Sequence, residues 1–128
     1  CQTMISLSNQ ILSDSLDEAF STVLHWCQSQ PPEKNIYLLD ILIYWFREIL
    51  YLNLTGNHRY FSYWSTTLNK QASIQNHDVI LLALENVMIA RRLIEKPQFR
   101  PQDVFEQMIL AIYNRELSHP NDWQLITI

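Results

Sequence analysis

A chain of 128 residues is the size of one domain, and 48% hydrophobic against 17% charged residues excludes a disordered one. Nine Lys and Arg, scattered under a net charge of −4, exclude a primary nucleic-acid site, which needs clustered cations to neutralise phosphates. Gly56 is the sole glycine, which argues against tight hairpins, Walker loops and Rossmann fingerprints, since all of them use glycine for positive φ or close backbone approach.

The first element is a helix over residues 3–12, with Met4, Ile5, Leu7, Ile11 and Leu12 at helical spacing. Asp14 is placed to cap a second helix that begins Ser15-Leu16-Asp17-Glu18, so that acidic groups meet the positive end of its dipole. Leu16, Ala19, Phe20, Val23, Leu24 and Cys27 form its apolar face, and Pro31-Pro32 ends it.

A third helix is expected over residues 33–54. Tyr37, Asp40, Tyr44, Arg47, Glu48 and Tyr51 fall on one polar stripe, and the remaining circumference is aliphatic with Trp45 and Phe46. A helix apolar nearly all round is buried by neighbours, so this one is expected to be central and the most buried. Its apolar stretch approaches membrane-spanning length. However, Asp40, Arg47 and Glu48 would each cost about 2.5–3.5 kcal/mol in a bilayer, so the expectation is a helix inside a protein. Gly56 suits a left-handed C-terminal cap.

A fourth, aromatic helix is expected over residues 57–69, with Tyr60, Phe61, Tyr63, Trp64 and Leu68 inward, followed by a polar connection over 70–75. Asn76 or Asp78 opens a fifth helix that reaches Lys96. Its inner face is Val79, Leu82, Ala83, Asn86, Ala90 and Leu93, and its wet side is Glu85, Arg92 and Glu95. Pro97 breaks the pattern. Pro101 takes the first position of a sixth helix, where its missing N–H costs nothing, and Val104, Phe105, Met108, Ile109 and Ile112 face inward until about Leu117. The whole is one all-α domain: a compact bundle of five to six helices around a central buried helix. Its core covers about 14–117, and a tail over 118–128 is pinned by Trp123.

The chemistry-bearing residues are dispersed. His25, His58, His77 and His119 include no i, i+4 pair, so no metal site is expected. Cys1 and Cys27 make no disulfide framework, and reduced thiols in a cytoplasmic protein are expected. Cys27 lies on an apolar face, turned away from His25, and reads as a core residue. Asp40 and Glu48 are two turns apart, roughly 12 Å along the axis, with Arg47 beside them. That arrangement favours an ion-pair or interface network over an acid–base pair. Asn86, set among alanines and leucines, is either a satisfied core amide or a polar contact to a partner. The sequon Asn53-Leu54-Thr55 is read as chance, because no basic segment leads into an apolar run as a signal peptide requires. No catalytic residue, cofactor, small-molecule substrate or membrane contact is expected.

Two stretches carry a resemblance. Leu38-Leu39-Asp40-Ile41-Leu42-Ile43-Tyr44-Trp45-Phe46-Arg47-Glu48-Ile49-Leu50 resembles a helix of bacterial clamp-loader subunits that reads Trp-Tyr/Phe-Arg-Asp/Glu-aliphatic-Leu. Leu84-Glu85-Asn86, with Ala90-Arg91-Arg92-Leu93, leads into Arg100-Pro101-Gln102-Asp103-Val104-Phe105-Glu106-Gln107-Met108-Ile109-Leu110, which is similar to the closing helices of the same domains. The order and separation of the two stretches agree as well. Together they resemble the C-terminal collar domain of bacterial DNA polymerase III clamp-loader subunits over about residues 16–117, the delta-prime branch first and gamma/tau next. One position departs: Phe99 stands where the family usually has asparagine.

The resemblance implies a helical domain that packs against the equivalent domains of other subunits, closing a hetero-pentamer that loads the sliding clamp. On that reading the candidate interface residues are Tyr37, Tyr44, Arg47 and Tyr51 on the third helix and Glu85 and Arg92 on the fifth. The alternative function is a free-standing helical adaptor that takes a peptide in a groove.

Overall fold

The helical periods close into six α-helices in the structure, a computed structural model that describes residues 2–56, 64–74, 76–115, 123 and 125. They are α1 (Gln2–Leu12), α2 (Leu16–Ser29), α3 (Glu33–Thr55), α4 (Ser65–Ile74), α5 (His77–Leu93) and α6 (Pro101–Tyr113), with no strand among the described residues. α3 packs on α1, α4 and α5, while α6 closes the other side against α2 and α5. The described residues contain no helix long and apolar enough to cross a membrane.

α1 buries Met4, Ile5, Leu7, Ile11 and Leu12, as its spacing requires. The turn that follows differs from the expected cap. An N-cap needs extended dihedrals, and Asp14 has φ 57°, the left-handed region that aspartate tolerates better than most residues. Ser15 takes the cap position instead, without a side-chain bond. Both Asp14 carboxylate oxygens accept from Arg115 Nη2, at 3.0 and 2.9 Å. Arg115 is itself left-handed, φ 56°, two residues beyond α6.

In α2 the buried row is Ala19, Val23 and Trp26, spaced i, i+4, i+7. Leu24 sits about 100° away from Val23 and is 39% exposed, so its expected core role fails. Trp26 is shielded because its Nε1–H donates to Oδ1 of Asn35 on α3, at 3.0 Å.

α3 buries Leu38, Leu39, Leu42, Trp45, Phe46 and Ile49 completely and ends at left-handed Gly56, whose N–H donates to the Leu52 carbonyl. It is central by its contacts but not buried all round. Eight of its 23 residues are buried, against eight of 17 in α5, which is therefore the more enclosed helix. α5 is covered on two sides, by α3 and by α6. Glu48 leaves the polar stripe altogether and is fully buried.

The fourth helix runs further along the chain than expected. α4 continues through 70–74, where a polar connection was expected; Tyr60, Phe61 and Tyr63 lie outside the described residues. The polar composition hid the helix because its inner face uses an amide. Leu68 and Gln71, spaced i, i+3, are both buried. Gln71 Oε1 accepts from Trp45 Nε1–H at 2.8 Å, and its Nε2 donates to Ser8 Oγ at 3.1 Å. Ser8 Oγ in turn donates to the Ile5 carbonyl at 2.9 Å. One buried chain of hydrogen bonds thus fastens α4 to α3 and α1, and its groups are satisfied as buried polar atoms must be.

Asn76 caps α5, accepting from the Val79 N–H at 3.0 Å. The helix ends at Leu93 rather than Lys96. Ala83, Asn86, Ala90 and Leu93 are buried as expected, whereas Val79 and Leu82 are half-buried and Ile80, Leu84, Val87 and Ile89 join the core. α6 starts on Pro101 and buries Val104, Phe105, Met108, Ile109 and Ile112; it stops at Tyr113, short of Leu117, because Arg115 turns left-handed. In the tail, Trp123 is buried in the core.

Candidate functional site

The direction of α5 along α3 follows from two contacts. Gln71, near the end of α4, touches Trp45 at the middle of α3, and α5 begins only six residues later. Further along, Arg91 in the last turn of α5 donates to Asp40 in the first half of α3, Nε to Oδ1, at 2.7 Å. A chain of six residues cannot reach far enough below Asp40 for α5 to run parallel, so the two helices are antiparallel. With equal rise from the Asp40–Arg91 contact, Tyr44 stands level with Val87, Arg47 with Leu84 and Tyr51 with Ile80.

Between them, the outward sides of these two helices carry exposed aromatic, apolar and charged residues. On α3, Tyr37 is 50% and Tyr44 52% exposed, Arg47 is exposed, and Tyr51 is half-buried. Lys34 Nζ lies 5.6 Å from the centroid of the Tyr37 ring, within cation–π range. On α5, Arg92 is exposed and Glu85 half-buried. Leu81 and Met88, absent from the expected set, are 38% and 43% exposed on the same side. Their signal was present in the sequence: Leu81, Glu85, Met88 and Arg92 are spaced i, i+4, i+7, i+11, two apolar residues inserted in a charged row.

The ion pairs differ from the expected ones. Arg91 is the partner of Asp40 and also bonds Glu95, Nη1 to Oε1, at 3.0 Å. Its guanidinium pKa is raised by these two hydrogen bonds, Asp40 first. Arg47 therefore has no share of Asp40, and makes no ion pair among the described residues. Asp40 and Glu48 do not face one another, since Asp40 is half-buried at the α3–α5 seam and Glu48 is inside.

No protein-family model, curated protein or solved structure matches this chain. The reading of the site rests on its geometry.

Other places offer less chemistry. The Cys27 thiol has its pKa pushed up to about 11 by burial and then by the nearby charge of Glu106, so it is protonated at neutral pH and a poor nucleophile. His25 is exposed and lines a cleft of about 430 Å³ between α1 and α2, together with uncharged side chains such as Ser6, Gln10, Ser21 and Thr22. Thr22 Oγ1 donates to Gln10 Oε1 across it at 2.8 Å. Among the described residues no group of three His, Cys, Asp or Glu side chains could hold a metal ion; His58 and His119 lie outside them. Asn86 is fully buried and donates from Nδ2 to the Leu82 carbonyl of its own helix at 3.0 Å, which makes it an interior amide.

Proposed function

We propose that this chain is an oligomerisation domain, the collar of a DNA polymerase III clamp-loader subunit of the delta-prime kind, contributing to the pentamer that loads the sliding clamp. The supporting observation is the α3–α5 surface. It exposes Tyr37, Tyr44, Leu81 and Met88 with Arg47 and Arg92 among them. Aromatic residues, Met and Arg are the types enriched where proteins meet, because they combine large contact area with a polar end. Arg47 also lies in the stretch that carries the resemblance. On this reading the domain has no catalytic role of its own, its partners are the other clamp-loader subunits, and it works in the cytoplasm.

Reconstitution with the partner subunits tests the proposal. Arg47→Ala and Tyr44→Ala are expected to weaken pentamer assembly while leaving the melting of the isolated domain within about 0.5 kcal/mol, as surface substitutions do. Failure of the wild-type chain to associate with any clamp-loader subunit would reject the collar reading.

A further inference from the structure

We draw no further inference here: the strongest candidate, the cleft of about 430 Å³ between α1 and α2, is lined mainly by Ser, Thr and Gln side chains, two of which, Gln10 and Thr22, bond each other across it, and nothing in the structure shows what would occupy it.

Discussion

Replacing Gln71 by leucine isolates the energetic role of the buried hydrogen-bond chain. The site is closed, with Gln71, Trp45 and Ser8 all within about 1% of full burial. Leucine keeps most of the volume but removes the acceptor of Trp45 Nε1–H and the donor to Ser8 Oγ. Ser8 retains the Ile5 carbonyl for its proton, so the indole N–H bears most of the loss. Removing the acceptor of a buried donor costs about 1–3 kcal/mol. The lost bond to Ser8 adds about 0.5–1 kcal/mol, and the added apolar contact of leucine returns a similar amount. A net loss of about 2 kcal/mol follows, read from urea unfolding at constant m-value. Trp45→Phe removes the donor of the Trp45–Gln71 bond, so in the double variant the combined loss is less than the sum of the two, with a coupling of about 1–2 kcal/mol. A Gln71→Leu loss under about 0.5 kcal/mol, or strict additivity in the cycle, would refute the assignment of Gln71 as the fastener of α4.

Phe105→Ala and Trp45→Ala empty fully buried volume and are each expected to cost about 3–5 kcal/mol in denaturant melts. Gly56→Ala meets no atom within 4 Å of the new Cβ, so its cost is the left-handed backbone alone, about 1 kcal/mol by thermal denaturation. Cys27 makes stability fall at alkaline pH. Its thiol keeps its proton in the folded state up to about 11, while the unfolded chain releases it near 9.0. The folded state thus loses ground as pH rises through that window. Urea titrations between pH 8 and 11 should show the decline, and Cys27→Ala should flatten it.

The helices that periodicity placed well are those whose burial is apolar and whose ends carry a backbone signal. α1 has its aliphatic row, α5 opens on Asn76, and α6 opens on Pro101. The misplacements share a different cause. Gln71 is a polar residue that serves the interior, so hydropathy read α4 as a connection. Glu48 is an ionisable side chain inside the bundle, and its neighbours on the stripe gave no sign of it. Trp26 rather than Leu24 lies on the buried face of α2, and its hydrogen bond to Asn35 on α3 is a tertiary contact that no local pattern encodes. The candidate surface was legible where tyrosine and arginine alternate along α3. Its α5 half was less so, because the exposure of Leu81 and Met88 depends on which sides of α5 are taken by α3 and α6.

The ion pair between Asp14 and Arg115 joins positions 101 residues apart, and each residue holds the uncommon left-handed backbone at the exit of its helix. Closing a loop of that length is entropically unfavourable until the intervening helices have already packed. The clasp is therefore a late event in assembly. Undoing it removes one tie between the α1–α2 turn and the end of α6, while the Ser8–Gln71 and Trp26–Asn35 hydrogen bonds still hold the hairpin to α4 and α3. Salt, which screens a half-exposed pair, weakens that tie, and faster amide exchange confined to the α1–α2 turn is the expected sign of it.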